Sequence, residues 1–202
     1  MNIRTSTLAM IVVLAYEIVL KLSHFLFPHV LHHHIAISFT GVLSVLAGII
    51  IILFLILFLR AEGSSPALAW SIRALIGAYL LVFALRFALA ANLFDFRTLR
   101  LLSEILGGLT AVLIFIILVL YRNQIPSDHM ALYKAANIAA FFLGLRILFK
   151  LYSAIEFSRF VSSGEPGEYS SGFYMLVSGV YLLTHLSMIY FFFRYYLFKS
   201  AR

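Results

Sequence analysis

Glu17, Lys21 and His24 stand at i, i+4 and i+7 within an apolar stretch, so in a helix they share one face. A carboxylate, an ammonium and an imidazole in that register can move a proton or hold an anion. Arg146, Lys150 and Ser153 repeat the spacing. Two cations one turn apart repel each other, so an anion is expected beside them. Tyr174, Ser178, Tyr181 and His185 follow at i, i+4, i+7 and i+11, a stripe of hydroxyl donors ending on a second imidazole. Arg86 and Glu104 complete the ionisable groups embedded in apolar sequence. A charge in the hydrocarbon region costs roughly 2.5–3.5 kcal/mol on insertion scales, and such residues usually mark a function.

The balance of these groups is positive. Four cations (Lys21, Arg86, Arg146, Lys150) face two acids (Glu17, Glu104). Arg146 lies ten residues before Glu156, at a depth close to that of Glu17, which predicts an interhelical Glu17–Arg146 pair. That pairing leaves Lys21, Arg86 and Lys150 compensated by Glu104 alone or by a ligand. Such a cluster suits a carboxylate, a phosphate or a lipid head group. The expected ligand-binding set is therefore Glu17, Lys21, His24, Arg86, Glu104, Arg146, Lys150, Tyr181 and His185. Within it Glu17, Glu104 and His185 are the candidate proton carriers. No catalytic residue is assigned and no cofactor is expected.

The elements that must position these groups follow from composition. The chain has 202 residues, 63% hydrophobic and 11% charged, with a mean hydropathy of +1.05. A soluble domain would carry about 25% charged residues. Ile35 to Leu59 runs 25 residues without one ionisable group, where about 20 suffice to cross a bilayer. Hydropathy and breakers divide the chain into six spans at about 8–27, 35–59, 67–92, 101–121, 131–156 and 172–197. The punctuation is Pro28 with the histidines after it, Glu62 to Pro66, Asn123 to Asp128, and Ser162 to Gly172. The fold expected is all-α: a bundle of six transmembrane helices forming one domain over residues 1–202. Leu8 to Phe27 reads as a first span rather than a cleavable signal, since it holds Glu17 and Lys21 and no small-residue cleavage site follows.

Six spans place both termini on one side, and eight Lys/Arg residues fall there against three on the other. The positive-inside bias then puts both termini in the cytoplasm of a plasma or inner membrane. Tyr121, Tyr190, Tyr195, Tyr196 and Trp70 are expected at the same interface. Lys21, Arg86 and Lys150 recur at separations of 65 and 64 residues in odd-numbered spans, consistent with three hairpin repeats. Gly41, Gly48, Gly107, Gly108 and Gly144 read as sites of close helix packing.

The absence of cysteine excludes disulfides, thiolate metal sites and a cysteine nucleophile. The net charge of +7 is scattered along helix ends and is no nucleic-acid signature. The remaining cluster is His29, His32, His33 and His34 in the segment FLFPHVLHHH. Its HxxHH spacing resembles one histidine box of the fatty-acid elongases over about ten residues. The Asn- and Tyr-rich segments that follow the box in that family are absent here, as are the further boxes of a di-iron desaturase. A short solvated loop is the first reading of this cluster, and a transition-metal or proton-sensing site the second. A bis-histidine haem would need two facing helical histidines at one depth, and His24 and His185 differ in depth.

Three functions remain. The favoured one is a membrane ligand-binding module (transporter, substrate-binding subunit or sensory domain) with an outward-facing cationic cavity for an anionic or amphiphilic small molecule. The alternatives are an accessory subunit of a membrane complex, or an enzyme acting on a lipid-linked substrate. Expected partners are the bilayer, such a small molecule or lipid head group, and a second membrane protein or copy of the chain.

Overall fold

The structure is a computed structural model that describes residues 2–26, 34–63, 65–90, 96–163 and 171–201; among these, the side chains of 24–26, 34–41, 86–90, 96–101, 154, 156–163 and 171–174 are outside the described set. Six helices account for it: α1 (Ile3–Leu26), α2 (His34–Glu62), α3 (Pro66–Ala90), α4 (Phe96–Arg122), α5 (Met130–Ser163) and α6 (Ser171–Ser200). All six are long and apolar enough to cross a membrane, the architecture of a polytopic membrane protein.

Helix ends extend past the apolar runs where local hydrogen bonds permit. α1 starts at Ile3, five residues before the hydropathy boundary, because Asn2 Oδ1 accepts the Thr5 amide at 2.9 Å as an N-cap. Ser6 and Thr7 are fully buried there, their hydroxyls donating to the Ile3 carbonyl at 2.8 and 2.7 Å. α3 opens on Pro66, whose missing N–H costs nothing at the first helical position.

Each helix packs against its neighbours in sequence, and α6 closes back onto α1. The result is a ring in which the interior-facing side chains form the core. At the end that carries both termini the interior is aromatic. Phe58 stacks on Phe54 at 5.5 Å, and Tyr121 meets Phe58, Phe191 and Tyr195 edge-on at 5.3–6.0 Å. Tyr195 has no exposed surface and donates to Glu62 Oε1 at 2.9 Å; Glu62 is ion-paired with Lys199. Arg4 Nε donates to the Lys199 carbonyl at 2.8 Å, tying α1 to α6. Tyr121 and Tyr195 thus fill the ring interior rather than lying at the lipid interface, whereas Trp70 is exposed as expected of an interfacial anchor.

Glycine placement is mixed. A Cβ on Gly48 would overlap the Phe83 ring, with Cε2 only 2.8 Å away, so this position lets α3 lean onto α2. At Gly107 the close neighbour is Lys150 Nζ at 2.9 Å, and at Gly144 a Cβ would make ordinary contact with Phe115. Gly108 faces open space, so it is not a packing site; Gly41 is outside the described side chains.

Candidate ligand-binding site

Above the aromatic core, toward the end away from the termini, the ring opens around a cavity of about 330 Å³. That is within the range of small-molecule sites. α1 contributes Tyr16, Glu17 and Lys21, α5 contributes Arg146 and α6 contributes Tyr181. α2 and α3 supply a mostly apolar wall, including Ile51, Val82 and Phe83, with Ser44 and Tyr79 as its hydroxyls.

Glu17 Oε2 lies 2.8 Å from His185 Nε2 and His185 Nδ1 lies 2.7 Å from the Tyr181 carbonyl. The carbonyl is an acceptor only, so Nδ1 carries a proton and donates. The second contact then holds one proton between Nε2 and Oε2, as imidazolium–carboxylate or as imidazole–carboxylic acid. Either way the pair is neutral while that proton stays. His185 is buried beneath the cavity with its side chain 4% exposed, while Glu17, at 39%, reaches the open space.

Tyr181 is shared by two cations. Lys21 Nζ stands 3.6 Å from the ring centroid and the Arg146 guanidinium carbon 3.9 Å from it, both within cation–π range. Arg146 Nη2 also donates to the Tyr181 hydroxyl at 3.0 Å, leaving that hydroxyl's own proton to point elsewhere. Arg146 Nε is buried with no hydrogen-bond partner, and so is the Tyr16 hydroxyl. No carboxylate comes within ion-pair distance of Lys21 or Arg146 among the described residues.

The expected Glu17–Arg146 ion pair is therefore replaced by Glu17–His185 and Arg146–Tyr181. The reason is azimuth: α6 stands between α5 and α1 in the ring, so Tyr181 and His185 reach those side chains first. Lys150 turns away from the cavity to Glu104 on α4, at 3.5 Å, with Glu104 62% exposed. Ser178 is exposed, which ends the α6 stripe at Tyr181. The side chains of His24, Arg86 and Tyr174 are outside the described set, as are residues His29, His32 and His33 and the side chain of His34.

No protein-family model, curated protein or solved structure matches the chain. Tyr79 and Tyr16 line the cavity without having been singled out in the sequence. Tyr79 sits seven residues before Arg86, on the same helical face, and Tyr16 is adjacent to Glu17. Those spacings were the available signals.

The site combines an ammonium, a guanidinium with most of its five donors uncommitted, and tyrosine hydroxyls, beside a pair that stores one proton. With that proton in place the net charge of Glu17, His185, Lys21 and Arg146 is two positive. Among the described residues the arrangement holds no nucleophile–base pair, and its donors and cations are of the kind that can hold an anion.

Proposed function

We propose that the protein is a membrane ligand-binding module, a transporter or the sensory part of a receptor, that takes an anionic small molecule into the ring. The observation that carries this is Lys21 and Arg146 meeting over Tyr181 in a cavity where the nearest acid, Glu17, is committed to His185. Two cations held side by side, with no carboxylate in ion-pair distance among the described residues, would be stabilised by a bound carboxylate or phosphate. An accessory subunit would turn such charges out to lipid or to a partner helix; their convergence inside the ring supports the ligand reading. With both termini in the cytoplasm, the cavity faces the outside.

The test is thermal stability of the purified protein with acetate, inorganic phosphate, sulfate and matched neutral solutes. An anion that raises the melting temperature of the natural protein, and not of Arg146→Ala or Lys21→Ala, supports the reading. Stabilisation that survives both substitutions, or that neutral solutes reproduce, refutes it.

A further inference from the structure

A second space lies next to the first. It measures about 70 Å³ and is lined almost wholly by aliphatic and aromatic side chains. Ile51 and Tyr79 belong to both linings, so the two spaces share a wall. Their order in depth is the same on every helix that contributes to both. On α1 the charged cavity uses Tyr16 to Lys21 and the apolar one Met10; on α6 the pair is Tyr181 and Met188. On α3 it is Val82 and Leu75. The apolar space thus stands below the cationic one, toward the termini.

We infer, building on the ligand-binding reading above, that the ligand is a straight-chain anionic amphiphile: its head lies between Lys21 and Arg146 and its alkyl tail runs past Tyr79 into the apolar space. Each half of the site alone fits a different partner. A small polar anion uses the cations and leaves empty the space between Phe54, Leu75 and Phe192, whose almost wholly apolar surface favours an apolar occupant over water. A neutral hydrocarbon uses the lower space and leaves two cations uncompensated. One molecule with both properties satisfies both.

The length follows from helix geometry. Seven residues separate Tyr181 from Met188, which is about 10 Å at 1.5 Å per residue. Carbon–carbon bonds of about 1.5 Å advance an extended chain by about 1.3 Å each, so a tail of about eight carbons spans the distance.

The experiment measures affinity for straight-chain carboxylates from acetate to dodecanoate, with the protein in nanodiscs and alcohols of equal length as controls. Affinity is expected to rise about fourfold per added methylene until the tail fills the lower space near eight carbons, then to level off. The alcohols show a much weaker series. Leu75→Phe, which fills the lower space, shortens the chain at which the series levels off; Ile117→Phe on α4 is the second such variant should the first misfold. A single-chain phospholipid in place of the carboxylates identifies the source: tighter binding than a carboxylate of equal length assigns the head to a bilayer lipid, looser binding to a free acid, and both uphold the amphiphile. A flat series with acetate or phosphate still bound overturns the tail site and leaves the anion reading standing. Binding of no anion of any length overturns both.

Discussion

Lys199 and Lys21 sit in opposite halves of the same ring of helices, and their surroundings differ in kind. Lys199 is ion-paired with Glu62, lies near the Tyr195 and Phe198 rings at 5.7 and 5.2 Å, and its carbonyl accepts Arg4. Lys199, Glu62, Tyr195 and Arg4 each have a partner on another helix, and the interior above them is lined with aromatic rings. Lys21 has a tyrosine face at 3.6 Å and no carboxylate in reach among the described residues. Beside it are an open cavity and a buried, unpartnered guanidinium nitrogen. The same residue types therefore serve two purposes. At the termini their charges are neutralised within the chain and fasten helices together; in the other half, among the described residues, Lys21 and Arg146 meet only a tyrosine, as the proposed anion site requires.

Paired truncations test this contrast most severely. Tyr195→Ala removes a fully buried ring and its hydrogen bond to Glu62, and should cost about 3–5 kcal/mol in reversible unfolding. Tyr181→Ala, at the half-exposed mouth of the cavity, should cost far less and instead abolish anion-dependent stabilisation. Equal costs at the two positions would erase the distinction between a structural and a ligand-binding half.

Arg146→Ala is expected to weaken anion binding by roughly ten- to a hundredfold, the value of charged hydrogen bonds at about 1.5–3 kcal/mol, with little loss of fold stability. Titration calorimetry beside thermal unfolding separates the two effects. A large drop in stability with affinity intact would make Arg146 a fastener like Lys199.

The shared proton sets the charge of the site. While it bridges Glu17 and His185 the pair is neutral and the site carries two positive charges, from Lys21 and Arg146. Glu17→Gln takes away the carboxylate that reaches the cavity and its repulsion of a bound anion, so at fixed pH it should tighten anion binding several-fold by titration calorimetry. An affinity unchanged by Glu17→Gln removes the pair from ligand binding.

Smaller effects are expected at the edges of the site. Gly48→Ala must displace the Phe83 ring, which lines the same cavity, so affinity should drop several-fold on competition binding. Glu104→Gln breaks an exposed pair with Lys150 and should change stability by less than about 1 kcal/mol, leaving anion affinity unaltered. A strong binding defect there would bring the α4–α5 seam into the site.

Much of the architecture was legible in the sequence because long apolar runs and their breakers are local properties. Six helices, their approximate ends and the polar stripe on each face could be placed without knowing any contact. The ends moved where short-range hydrogen bonds extended a helix, as Asn2 does for α1. Of the candidate site, Glu17, Lys21, Arg146 and Tyr181 line one cavity and His185 is held against Glu17; Glu104 and Lys150 pair elsewhere.

What the sequence by itself determined is which residues share a helical face and how deep each lies, since the rise and twist per residue are constant. Only the tertiary structure decided which faces look at one another. Closure of α6 onto α1 placed His185 against Glu17, and Tyr181 between Lys21 and Arg146. It also stacked an apolar space beneath a charged one. Depth is a property of one helix, whereas azimuth is settled by packing all six.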